Sequence, residues 1–61
     1  MENILLSKAN NGDVDAQFQM YQNLINQNKK EAMRWLEKAA IGGNPKAQTV
    51  FGIQNINYIR T

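Results

Sequence analysis

The sequence has no cysteine and no histidine among its 61 residues, and its only serine is Ser7. Without cysteine, no disulfide can stabilise so short a chain. Without cysteine and histidine, a structural zinc site would have only carboxylates as ligands, which is unusual. The commonest general base near neutral pH is missing, and Ser7 has no histidine to activate it. We therefore expect no enzymatic activity, no metal and no cofactor.

Long apolar runs are also missing. The N-terminal segment has only three consecutive apolar residues, Ile4, Leu5 and Leu6, which is too short for a signal peptide or a membrane span. We therefore expect a cytoplasmic protein, in the host cytoplasm if a phage encodes it. Asparagine and glutamine make up about a quarter of the chain, a composition typical of low-GC genomes, and this favours a bacterial or phage source.

Three polar or glycine-rich breaks divide the chain, at residues 10–13, 26–28 and 42–45. Between them, apolar residues recur at spacings of three and four, which predicts helices rather than strands. We predict one all-α domain over residues 1–61, with helices over about 2–10, 14–27, 29–41 and 45–58. Asp13 and Asn44 are the predicted N-caps, and glycine ends the helix before each.

The residues around the two glycine turns repeat at an offset of 31. Five identical pairs carry the repeat: Leu5 and Leu36, Ala9 and Ala40, Gly12 and Gly43, Ala16 and Ala47, Gln17 and Gln48. Such offsets are typical of helix-pair solenoids. The glycine lets the chain reverse, the alanine lets two helices approach, and a large apolar residue, Met20 or Phe51, fills the space between them.

Residues 32–52 resemble the SEL-one-like repeat, a relative of the tetratricopeptide repeat. The matching residues are Ala32, Trp35, Leu36, Lys38, Ala39, Ala40, Gly43, Ala47, Gln48 and Gly52. The resemblance implies antiparallel helix pairs in a tetratricopeptide-like α/α solenoid fragment, with Trp35 packed between helices. It also implies an adaptor or scaffold role through protein–protein contacts. Tyr21 stands where the family has glycine, so its ring either projects outward or spreads the helices. Asn55 replaces a usual tyrosine.

The resemblance also implies that the second and fourth helices line a concave surface. Helical spacing selects a stripe on each of these two helices, and its partner-binding candidates are Phe18, Gln22, Ile25, Thr49, Ile53 and Ile56. Asp15 on the second helix and Lys46 on the fourth belong to the same stripes. Four of them are large apolar residues beyond those that the core uses, which favours an interface. The alternative is that the helices fold over this stripe and bury it as core.

We therefore expect a small adaptor or inhibitor that binds a larger protein or complex, such as a phage protein that blocks a host defence complex. Self-association is a second expected mode, because solenoids usually need three or more repeats for stability. The alternative is a nucleic-acid-associated protein that uses the basic stripe Lys30, Arg34 and Lys38. Glutamates flank that stripe and no aromatic platform accompanies it, so a solvated helix face is the better explanation and nucleic acid is an unlikely partner.

Overall fold

The computed structural model describes the backbone of residues 4–60 and the side chains of residues 4–52. Within residues 4–60 the chain forms four helices and no strand, which confirms the predicted all-α class for this part of the molecule. The helices are α1 (Ile4–Asn10), α2 (Val14–Leu24), α3 (Lys29–Ile41) and α4 (Pro45–Arg60). Of these described helices, none combines the length and the apolar character that crossing a bilayer requires.

The predicted bounds hold for α3 and for the starts of α2 and α4. The predicted end of the second helix at residue 27 was wrong, since α2 ends at Leu24. The backbone N–H groups of Gln27 and Asn28 both donate to the Leu24 carbonyl, at 2.9 and 2.7 Å, and close a turn. The Asn28 side chain then accepts the Glu31 N–H at 3.2 Å and caps α3. The last helix is longer than predicted and continues to Arg60.

The turn between α1 and α2 and the turn between α3 and α4 have the same backbone geometry. Gly12 and Gly43 have φ angles of +100° and +106°, a region that side chains disfavour. Each glycine N–H donates to the carbonyl three residues earlier, at 3.2 and 3.1 Å. The next N–H, of Asp13 or Asn44, donates to the carbonyl five residues earlier, at 3.0 and 2.9 Å. Both turns are therefore Schellman-type helix ends.

The side chains around these turns match as well. Asp13 accepts the Ala16 N–H at 3.1 Å and Asn44 accepts the Ala47 N–H at 2.9 Å, which confirms both predicted N-caps. We call residues 9–17 the first joint and residues 40–48 the second joint.

A glutamine side chain makes the same hydrogen bond in each joint. Gln17 Nε2 donates to the Ala9 carbonyl at 2.9 Å, and Gln48 Nε2 donates to the Ala40 carbonyl at 3.1 Å. Residues 31 positions apart therefore make the same contacts in the two joints.

The core consists of two small clusters of buried side chains. The first cluster contains Ala9, Ala16 and Trp35, and the second contains Leu36, Ala39, Ala40 and Ala47. Tyr21 is half-buried and packs against both clusters. Of the two alternatives for this ring, outward projection was wrong, because it lies between the clusters and connects them.

Candidate protein-binding groove

A shallow groove lies between α2 and the start of α4, with a volume of about 320 Å³. Its lining residues are Asp15, Phe18, Gln19, Gln22, Asn44, Pro45 and Lys46. The four residues from α2 follow the spacing i, i+3, i+4 and i+7, so they form one face of that helix. The other three belong to the N-cap and first turn of α4, which the second joint places against α2.

Asn44 holds the two sides of the groove together. Its side chain is 3% exposed, and it makes three hydrogen bonds. Oδ1 accepts the Ala47 N–H and caps α4, while Nδ2 donates to Asp15 Oδ1 at 3.0 Å and to the Val14 carbonyl at 3.4 Å. The amide therefore fixes the start of α4 against the start of α2. Hydrogen bonds within the chain therefore hold the two walls of the groove in place, and a preformed site of this kind would lose less entropy on binding.

Phe18 is the aromatic residue of the groove. It is half-buried and packs against the second core cluster, and its ring centroid lies 5.6 Å from that of Tyr21. The sequence left open whether Phe18 belongs to an interface or to the core, and the structure shows that it packs against the core. The same residue also lines the groove, so an interface there stays a prediction.

Polar groups of opposite charge surround the ring. Asp15 and Lys46 are both exposed, one on each side of the groove. Gln19 and Gln22 add exposed amides along α2, which can both donate and accept hydrogen bonds. The lining of the groove is therefore mainly polar, and Phe18 and Pro45 are its two apolar residues. Among the described residues, no three acidic side chains lie close enough together to hold a metal ion.

Two of the predicted partner-binding residues, Phe18 and Gln22, line this groove. Two neighbours on the predicted stripe, Asp15 and Lys46, join them. Helical spacing therefore selected four of the seven lining residues.

The other predicted residues lie elsewhere. Ile25 is half-buried in the turn after α2 and does not line the groove. Thr49 is exposed one turn along α4, where its hydroxyl donates to the Pro45 carbonyl at 3.0 Å. The side chains of Ile53 and Ile56 lie outside the described residues.

The sequence did not identify Gln19, Asn44 and Pro45 as groove residues. Gln19 lies one helical turn after Asp15, so the same spacing that selected Phe18 and Gln22 could have included it. Asn44 and Pro45 were interpreted only as helix-start residues. Their second role depends on α4 lying against α2, which is a tertiary contact.

The basic stripe on α3 is exposed, but its charges are partly occupied within the chain. Lys38 Nζ lies 4.8 Å from the centre of the Trp35 ring, a cation–π contact. Glu31 lines the same hollow as Arg34, Trp35 and Lys38 and adds a negative charge there. Trp35 itself is buried, so it offers no open aromatic surface on which a base can stack.

Comparison of the chain with protein-family models, curated proteins and solved structures finds no match. The resemblance to SEL-one-like repeats therefore rests on the residues of the chain itself, and the solenoid arrangement remains a proposal.

Proposed function

We propose that the chain is a protein-binding module of the SEL-one-like type, whose groove between α2 and α4 binds a segment of a larger protein. The observation that carries this proposal is the preformed groove, held by Asn44 and lined by Phe18 and exposed polar side chains. An adaptor and an inhibitor would both use such a groove.

The matching joints support a tetratricopeptide-like arrangement of the helices. The same glycine turn, N-cap and glutamine hydrogen bond precede or begin both α2 and α4. This repetition favours equivalent positions of the two helices relative to the helix that precedes each. In a helix-pair solenoid, equivalent helices of successive units form a continuous binding surface. A groove between α2 and α4 lies where such a surface is expected.

The lining of the groove favours a particular ligand chemistry. Phe18 suits one apolar side chain, while Asp15 and Lys46 suit a basic and an acidic residue on either side of it. The amides of Gln19 and Gln22 suit the backbone of a peptide in an extended conformation. The proposed ligand is therefore a short segment of mixed charge with an apolar residue near its middle.

Affinity capture from a bacterial lysate, with matched variants of the chain as baits, tests the proposal. The bait is the 61-residue chain, compared with the double variant Q22E and K46E, which changes two exposed groove residues outside both core clusters. The control is the double variant K30E and R34E, which changes two exposed residues on α3 outside the groove. We expect a bacterial partner protein to be retained by the wild-type chain and the control and lost from the groove variant.

The opposite pattern would contradict the proposal. A partner lost only from the α3 variant would place binding on the basic stripe, and a nuclease-sensitive partner would identify it as nucleic acid. Equal retention by all three baits would show that the groove takes no part. Circular dichroism of each bait checks that the helices are intact.

A further inference from the structure

Asn11, at the first joint, is the one asparagine of the chain that is followed by glycine. Asparagine is a thermally labile residue, because the backbone nitrogen of the residue after it can attack its side-chain amide. Glycine hinders this attack least, since it has no side chain. The Asn11 side chain is exposed, and a Cβ built on Gly12 would meet no atom of the surrounding chain within 4 Å. The described surroundings of the pair therefore leave room for the reaction.

The second joint carries no such pair. Position 42, 31 residues after Asn11, is a glycine, and a Cβ there would clash with Cγ1 of Val14. The asparagine of that joint, Asn44, is followed by Pro45, whose nitrogen has no hydrogen to lose. The two joints therefore share a backbone geometry but differ in this side-chain chemistry.

Two hydrogen bonds to one carbonyl hold the first joint closed around the attacking nitrogen. The Gly12 N–H donates to the Ala9 carbonyl at 3.2 Å, and Gln17 Nε2 donates to the same oxygen at 2.9 Å. Attack requires the Gly12 nitrogen to lose its proton and turn toward the Asn11 amide, so its hydrogen bond has to break. Short terminal elements open most readily, and α1, the first described helix, has only 7 residues. The rate of reaction therefore follows the fraction of molecules in which the first joint is open.

We infer that Asn11 is a site of spontaneous deamidation, which proceeds when the first joint opens. The Gly12 nitrogen bonds to Asn11 Cγ, the bond from Cγ to Nδ2 breaks, and ammonia leaves with the Gly12 proton. Water then opens the resulting cyclic imide at either of its carbonyls. The products are aspartate and isoaspartate, and in isoaspartate the main chain runs through the side-chain carbon Cγ.

Both products weaken the first joint. Each places a carboxylate at the C-terminal end of α1, where the helix dipole is negative and the Asp13 carboxylate is two residues away. Isoaspartate also adds a main-chain carbon before Gly12, which displaces the N–H groups of Gly12 and Asp13 from the Ala9 and Lys8 carbonyls that they now reach. The inference is independent of the proposed groove, since neither Asn11 nor Gly12 lines it.

Peptide mapping by mass spectrometry, during incubation at mildly alkaline pH, tests the inference. The samples are the wild-type chain, Q17A and Q48A, and the two variants remove the equivalent glutamine hydrogen bonds of the first and second joints. We expect the amide of Asn11 to be converted to the acid before that of any other asparagine, with isoaspartate among the products. Q17A should accelerate this conversion at least about tenfold, because the bond that it removes is buried, while Q48A should leave the rate unchanged.

Two controls separate the opening of the joint from the chemistry of the pair. In concentrated urea all three chains should react at one faster rate, because the joint is then open in each. If Q17A does not fold, urea concentrations below the wild-type midpoint take its place and should raise the rate at Asn11 in the same way. Equal rates in folded Q17A and folded wild type would overturn the requirement for opening, and deamidation spread evenly over the asparagines would overturn the site.

The effect on stability is measured on the deamidated chain itself, which its extra negative charge separates from the unmodified protein by ion exchange. Its urea midpoint should be lower than that of the unmodified chain. N11Q, whose longer side chain forms the corresponding ring less readily, should keep its midpoint through the same incubation. An unchanged midpoint in the deamidated chain would contradict the predicted weakening of the first joint.

Discussion

Replacement of Asn44 by alanine should destabilise the protein more than any other loss of a helix cap. The substitution removes the N-cap of α4, which is worth about 1 kcal/mol. It also removes the hydrogen bonds from Nδ2 to Asp15 and to the Val14 carbonyl, worth about 1 kcal/mol more at a site that is 3% exposed. The expected loss in the free energy of unfolding is therefore about 2 kcal/mol.

That loss is large for a chain of this size. A core in a chain below about 70 residues rarely supplies more than roughly 3–5 kcal/mol. With a urea dependence of about 1 kcal/mol per molar, the midpoint of unfolding should fall by about 2 M. Urea titration followed by circular dichroism measures this shift directly.

Two further variants separate the contributions. D13A removes only the exposed cap of α2, so it should cost about 1 kcal/mol. N44S keeps a capping oxygen but is too short to bridge to α2, so it should fall between the wild type and N44A. If N44A were no more destabilising than D13A, the bridge between α2 and α4 would contribute nothing and the reasoning would be refuted.

Three other substitutions test the joints and the core by the same urea titration. G12A and G43A should cost similar amounts, roughly 1–2 kcal/mol each, because the two φ angles are nearly equal; a large difference would contradict the equivalence of the turns. Q17A should cost about 2 kcal/mol and Q48A less than about 0.5 kcal/mol, because only the first of these glutamines is buried. Equal costs would contradict this difference in burial between the two side chains. W35A should cost about 3–5 kcal/mol and leave the chain largely unfolded, and retention of a cooperative transition near that of the wild type would argue against its place in the core.

The local features of the fold could be predicted from the sequence because single residues determine them. Gly12 and Gly43 supply the backbone conformation of the turns, and Asp13 and Asn44 supply the caps. The end of α2 was mispredicted because Ile25 continues the apolar spacing of the helix, while the turn that ends the helix is made by backbone hydrogen bonds from Gln27 and Asn28 to Leu24. Backbone groups are the same in every residue, so the sequence does not mark this turn.

The groove could be predicted only in part, because it depends on how two helices meet. Helical spacing placed Asp15, Phe18 and Gln22 on one face of α2, and that face does line the groove. The spacing alone did not show that Asn44 reaches across to α2, nor that Phe18 also completes the core. Both features come from tertiary packing between residues that are far apart in the sequence.

The most direct test of the proposed function is to locate a bound ligand residue by residue. The ligand is a peptide segment of mixed charge, selected for binding from a random library, and it is titrated into ¹⁵N-labelled protein while amide chemical shifts are followed. The account predicts that the largest changes fall on Asp15, Phe18, Gln22 and Lys46, and that K46E weakens binding while K30E does not. Changes centred on Lys30, Arg34 and Lys38, with the groove amides unmoved, would contradict it.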